Sequence, residues 1–288
     1  MKQMSKEDTM AIKKFFFIPF VLTLLFLAAV LTVEISSAAA GGPETETGIL
    51  KIEKIKKAGK LIVGTSADYP PYEFHLLNEK EGDLVGIDID IARAIANELG
   101  VELEIKDLVF SRIFETLASG NIDIAIAGLH PTEDRKKVVN FSDIYLMAIQ
   151  SLLIRKENSD RIKTIEDLRG KKVGVQRESL QESMARSAVS SAEFVVRDTI
   201  EELIIILSKN IVDTVILEEP VADSYTLRHK DFLSIKLKQF DYLLGSAIAV
   251  RKGDDDLLKE VNRILAKLKS ENKIDEFVTR AKILTNKH

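Results

Sequence analysis

Arg135 stands eight residues beyond the apolar run Ile124–Ala127, in the stretch IAIAGLHPTEDR. The run reads as a buried strand, so a fixed cation follows a core element. A guanidinium in that place can take a carboxylate bidentately. In the second half of the chain, VDTVILE ends another apolar strand at Glu218, with Glu219 beside it. A carboxylate there can take an ammonium. If the two strand ends face each other, the cleft between them suits a small zwitterion, and an α-amino acid fits that description. Surface salt bridging is the alternative for either residue. Arg135 has Glu133 and Asp134 close by, although exposed pairs of that kind contribute little. His75, His229 and His288 have no metal-ligand spacing, so no metal and no cofactor is expected. A Ser/His/Asp set, another nucleophile motif and a phosphate-binding glycine loop are all missing from the sequence.

These residues need elements to hold them. KLIVGT reads as a strand and IDIDIARAIANELG as a helix, with Asp88 or Asp90 as its cap and Gly100 as its stop. VELEIKDL, FSRIFETLASG and IDIAIAG continue as strand, helix and strand. The alternation resumes with GKKVGVQ, SLQESMARSAVS, EFVV, TIEELIIILSKN and VDTVILE. Strands separated by helices imply βαβ units with parallel strands. LASGNIDIAI (117–126) aligns without gaps to LSKNIVDTVI (207–216), placing Gly120 opposite Asn210 and Asp123 opposite Asp213. Gly and Asn both suit a left-handed helix end. The chain therefore reads as two α/β halves, each with its own sheet, and ligands of open α/β sheets sit beyond the C-terminal strand ends.

The chain has 288 residues, enough for one large domain or two smaller ones. Its net charge of −4, with lysines and arginines spread among acidic residues, gives no sign of nucleic acid. The N-terminal stretch differs. Lys13 and Lys14 precede an uncharged apolar run from Phe15 to Val33, and ISSAAA follows with Ala38 and Ala40 at small-x-small spacing. This predicts a signal peptide over 1–40 and an exported product, with an uncleaved anchor as the alternative. The absence of cysteine excludes disulfides and a thioether-linked lipid.

Several motifs then carry a family resemblance. They are GKLIVGTSADYPPYEF, LVGIDIDIARAIANELG, LASGNIDIAIAGLHPTEDRKKVVNFSDIY, IEDLRGKKVGVQ, VDTVILEEPVA and GSAIAVRKGDDDLLKEVNRIL. From about Lys60 to about Val278 the chain resembles the bacterial extracellular (periplasmic) solute-binding proteins of family 3, which serve polar amino acid ABC transporters. The resemblance implies a two-lobed α/β fold of the type II periplasmic-binding kind, each lobe a mostly parallel sheet flanked by helices. Residues 60–149 with 246–288 would form one lobe and 150–245 the other, after a linker and short helix over 41–59. The crossings would lie near Gln150–Leu152 and Gly245–Ala247. An amino acid ligand, an inner-membrane ABC permease and a monomeric state are the implied partners and form.

The resemblance also implies a site. Tyr69 and Phe110 look like the aromatics that sandwich the ligand side chain, Gly128 and His130 like the carboxylate donors. Arg135 matches the carboxylate-binding arginine and Glu218 the acidic residue that takes the ammonium. Ser66, Asp88 and Ser179 complete the set. For several of these a simpler role stands beside the binding role: Tyr69 as core cover, Phe110 as a helix staple, Asp88 as a helix cap, His130 as a structurally satisfied residue. Three positions depart from the family pattern. His130 replaces a small hydroxyl residue and titrates near neutral pH. RESLQ places Glu178 beside Ser179. Ser66 stands where some members that bind basic side chains have aspartate. With Asp88 and Ser66 at the end of the slot and no second cation, the pocket is expected to take a polar or basic L-amino acid. Arginine or lysine come first, then glutamine and histidine, with aspartate and glutamate rejected. A dehydratase acting on prephenate-like acids is the enzyme alternative on this fold, with His130 and Glu178 as its acid groups, and an amino acid sensor is the third reading.

Overall fold

A computed structural model describes residues 50–76, 83–237 and 244–286. The expected signal peptide lies outside them, as does the linker up to residue 49. Ten strands build two five-stranded sheets. They are β1 (Lys60–Thr65), β2 (Glu102–Asp107), β3 (Ile124–Ala125), β4 (Val139–Phe141), β5 (Gln150–Arg155), β6 (Lys172–Gln176), β7 (Glu193–Arg197), β8 (Thr214–Glu218), β9 (Phe232–Lys236) and β10 (Ala249–Arg251). The first sheet has the order β2-β1-β3-β10-β4 and the second β7-β6-β8-β5-β9.

The βαβ units supply only the parallel part of each sheet. In the first, β1 pairs in parallel with β2 and β3; in the second, β6 pairs in parallel with β7 and β8. The antiparallel strand between β3 and β4 is β10, which arrives from the other half of the chain. The antiparallel strand between β8 and β9 is β5, which arrives from the first half. Each sheet is thus completed by a strand that has just crossed over. The crossings themselves, Leu146–Ala148 and Leu244–Ser246, pair as an antiparallel ribbon.

The internal sequence match corresponds to one local structure used twice. Gly120 and Asn210 both adopt left-handed backbone, at φ 76° and 58°. Asp123 exchanges two bonds with Ile62: its carboxylate accepts the Ile62 N–H at 2.7 Å, and its own N–H donates to the Ile62 carbonyl at 2.7 Å. Asp213 does the same with Lys172, at 2.8 Å and 2.8 Å. Each aspartate therefore fixes the register of its strand against its parallel neighbour, β1 for Asp123 and β6 for Asp213.

Helix Ile87–Leu99 buries Ile87, Ile91, Ile95 and Leu99, a stripe at four-residue spacing, and stops at Gly100 in the left-handed region. Truncating Ile91 or Ile95 to alanine costs about 2–5 kcal/mol by transfer and cavity terms. Its cap differs from the expectation. Gly86 occupies the N-cap at φ 131°, because a side chain there would meet the Tyr72 carbonyl oxygen at 2.0 Å. Asp88 and Asp90 lie within the first turn and are buried with other partners: Asp90 meets Arg93 and Arg280. A small antiparallel sheet, Asp68–Tyr69, Glu73–His75 and Leu84–Val85, follows β1 in the chain. In it Tyr69 is directly opposite Glu73.

Candidate functional site

Strand ends from both sheets converge on one cavity with about 330 Å³ of empty space, its mouth included. From the first lobe come Ser66 beyond β1, Asp68, Tyr69 and Glu73 of the small sheet, Phe110, and Ala127, Gly128, His130 and Arg135 beyond β3. From the second come Gln176 at the end of β6, Leu180 and Gln181 of helix Leu180–Ala188, and Glu218 at the end of β8. Glu218 is opposite Gln150, the first residue of the incoming strand β5.

The guanidinium of Arg135 is oriented by four contacts. It lies 5.5 Å from the Phe110 ring centre and 4.9 Å from that of Phe114, and Nη1 donates to the His130 carbonyl at 3.1 Å. Nη2 reaches across to the Glu178 carbonyl of the second lobe at 3.0 Å. Burial pulls Arg135 down to about 10, with the Glu178 charge opposing, so it stays cationic at neutral pH. A guanidinium has five N–H donors, so donors remain for a carboxylate.

Glu218 is fully buried. Tyr72 donates its hydroxyl to Oε2 at 2.5 Å, His130 Nε2 lies 2.9 Å from Oε1, and the Glu218 N–H donates to the Tyr69 hydroxyl at 3.4 Å. All three partners belong to the other lobe. Burial, and then the Glu218 charge, hold the Tyr69 and Tyr72 phenols well above their ordinary value, so both stay protonated. The His130 ring is pulled down by burial, but the charge and hydrogen bond of Glu218 and the Gly245 carbonyl outweigh this, and the net shift is upward.

A buried acid pair borders the site, Glu73 on the cavity wall and Asp88 off it. Asp88 accepts the Gly128 N–H at 2.8 Å and the Tyr145 hydroxyl at 2.7 and 2.9 Å. Burial raises Asp88 to about 6, against the pull of these donors. Glu73, 1% exposed, is pushed well above the carboxylate range by burial and then by the charge and hydrogen bond of Asp88. Its Oε2 has no hydrogen-bond partner among the described residues. Gly128 is required where it stands: its φ is 54°, and a side chain would lie 3.2 Å from the Tyr69 ring.

The structure therefore brings together Ser66, Tyr69, Phe110, Gly128, His130, Arg135 and Glu218, and sets two expected residues apart. Asp88 does not line the cavity; it is neither helix cap nor free anion but the acceptor that fixes the Gly128 peptide. That bond also occupies the Gly128 amide that was expected to serve a carboxylate. Ser179 caps helix Leu180–Ala188, accepting the Glu182 N–H at 3.0 Å, and faces an outer cleft. His130 points at Glu218 and away from the carboxylate end. Glu178 is exposed and offers Arg135 only its carbonyl, so it does not join His130 as an acid pair. Sequence reasoning missed Glu73, Asp68, Gln176, Leu180 and Gln181. The signal for Glu73 was present: Pro70-Pro71 between Tyr69 and Glu73 makes a tight hairpin turn that places the two opposite each other. Among the described residues no group of three or more His, Cys, Asp or Glu could hold a metal ion.

Two α/β lobes joined by a two-stranded ribbon, with a cation from one and an anion from the other on a shared cavity, define a solute-binding protein. The chain matches the bacterial extracellular solute-binding proteins, family 3, over residues 61–281, and belongs to that family. It is 33% identical over 257 residues to the arginine-binding extracellular protein ArtP of Bacillus subtilis, covering 88% of this chain and 94% of ArtP. The structure of AbpA from Streptococcus pneumoniae bound to L-arginine superposes with a TM-score of 0.78 at 34% identity, covering 81% of this chain and 98% of AbpA. The ancestral amino acid-binding protein AncCDT-1, a precursor of cyclohexadienyl dehydratase, gives 0.73 at 33% identity, covering 80% of this chain and 98% of that one.

Proposed function

We propose that the protein captures a basic or polar L-amino acid between its lobes, outside the cytoplasmic membrane, and delivers it to an ABC permease. The observation that carries this is the placement of Arg135 and Glu218, of opposite charge and from opposite lobes, on one cavity. Arg135 takes the α-carboxylate and Glu218 the α-ammonium. The side chain runs between Tyr69 and Phe110, and its far end meets Glu73, whose Oε2 is buried without a partner. A guanidinium or ammonium there satisfies that carboxylate, and a guanidinium stacks well on the aromatic walls. A ligand carboxylate would face Glu73 and Asp68 instead. The arginine-binding relatives support the same reading.

The protein works as a binding protein and not as an enzyme in this reading, which is supported by its similarity to arginine-, cystine- and glutamine-binding proteins. Export by the N-terminal segment and a monomeric form belong to the same proposal. A thermal-shift screen of the twenty amino acids tests it: arginine and lysine stabilise most, glutamine and histidine less, aspartate and glutamate not at all. Stabilisation by glutamate without arginine or glutamine overturns it.

A further inference from the structure

We propose that His130 is a positioning residue anchored on the crossing ribbon, which competes with the ligand's ammonium group for Glu218. The inference rests on the reading that Glu218 is the ammonium acceptor.

The ring is held at both nitrogens. Nδ1 lies 3.1 Å from the carbonyl oxygen of Gly245, in the second crossing. A carbonyl only accepts, so Nδ1 carries a proton. Nε2 then faces Glu218 Oε1 at 2.9 Å, and neither atom has another hydrogen-bond partner among the described residues. In the neutral ring with Nδ1 protonated, Nε2 would present a lone pair to a carboxylate oxygen. Only the imidazolium places a donor on each side. The residue is 2% exposed and Glu218 0%, so the contact forms out of water, where an unpaired charge is costly.

The charged groups facing the ring are few. Glu218 comes from the second lobe, and Arg135, whose Nη1 donates to the His130 carbonyl, comes from the helix that follows. Asp88 and Glu73 also feel the Glu218 charge; Tyr69 and Tyr72 stay uncharged. Burial and Arg135 pull the ring down, but Glu218 and the Gly245 carbonyl together outweigh them, and the ring is held above its ordinary value.

An α-ammonium arriving at Glu218 meets a second cation already there, while Tyr72 holds the other carboxylate oxygen. Binding then requires His130 to give up its proton or leave Glu218. Either route makes the imidazolium a competitor of the ligand, linked to the hinge through Gly245. Affinity falls as pH falls below the titration point of the ring, by up to about tenfold per pH unit where binding expels its proton. This is the reverse of the sign expected had the imidazole served the carboxylate.

The test has two parts. The parent protein and His130→Gln are titrated calorimetrically with L-glutamine and L-arginine from about pH 5.5 to 8.5. Glutamine carries no side-chain charge, so its profile excludes Glu73. The parent is expected to lose affinity for both on acidification, and His130→Gln to lose this dependence for glutamine. In the ligand-free protein, the His130 ring is titrated by NMR in the parent and in Glu218→Gln, where its titration point should drop. The same pH profile in parent and His130→Gln, or a titration point indifferent to Glu218→Gln, overturns the proposal. No amino acid binding at any pH retires the ligand reading and the competition with it, while the NMR titration still reports whether the His130–Glu218 pair exists.

Discussion

Replacing Glu73 by Gln keeps the shape of the cavity wall and removes its charge. The wild-type carboxylate is 1% exposed, shares a proton-rich site with Asp88, and leaves Oε2 without a partner among the described residues. A hydrogen bond to a charged group is worth about 1.5–3 kcal/mol, which converts to about a 10- to 150-fold loss in affinity for L-arginine. L-Glutamine, with an uncharged side chain, should change less than about threefold. The raised value of Glu73 adds a second signature. Where the group is protonated before binding, a cationic side chain must expel the proton, so arginine binding releases protons and its heat depends on the buffer's ionisation enthalpy. The variant should lose that dependence. The stability effect has the opposite sign. A carboxyl raised on folding contributes stability that is present below its unfolded value and lost as pH rises through its folded value. The variant should therefore melt above the parent at pH 8 and close to it at pH 5. Calorimetric titration in two buffers and thermal melts measure all of this. Equal losses for arginine and glutamine, or an arginine affinity untouched by the change, would refute the placement of the side chain at Glu73.

Three further expectations follow from the same geometry. Arg135→Ala should abolish amino acid binding by calorimetry while leaving the circular dichroism spectrum intact, since its contacts are to ring faces and carbonyls at the cavity wall. Saturating arginine should reduce the radius of gyration in small-angle scattering, because the chain passes between the lobes through the paired segments Leu146–Ala148 and Leu244–Ser246 and hinge motion is the default for such a link; an unchanged radius counts against closure. Asp68 of the first lobe accepts the Ile200 N–H of the second at 2.6 Å, and burial raises it from 3.8 to about 7. Its contribution to stability is thus lost as pH rises through about 7, so the melting temperature of Asp68→Asn should fall less than that of the parent between pH 5 and 8.

Much of the fold could be read from the sequence because it is local. Strand–helix alternation announced the βαβ units, and the LASGNIDIAI/LSKNIVDTVI match marked one structure built twice, down to the carboxylates of Asp123 and Asp213. What escaped is non-local. The antiparallel strands β5 and β10 take their places only when the chain crosses between lobes, and no short-range pattern records that. Asp88 and Asp90 had the composition of caps, yet Gly86 takes the cap because the Tyr72 carbonyl leaves no room for a side chain. Around the cavity, residues just beyond strand ends, such as Arg135 and Glu218, were legible from position alone. His130 stood out in the sequence, but its partner, Glu218, is chosen by the contact between lobes. Asp88 was taken for the free anion and Glu73 overlooked, because which of two acids faces the cavity depends on the Tyr69–Glu73 pairing of a small hairpin.

The most direct test of the account is a crystal structure with L-arginine bound. It predicts the α-carboxylate on the Arg135 guanidinium, the α-ammonium on Glu218 with the His130 ring displaced or turned from it, and the guanidinium between Tyr69 and Phe110 with its end at Glu73. Arginine bound in the reverse sense, with its guanidinium on Glu218 and its carboxylate away from Arg135, would contradict it.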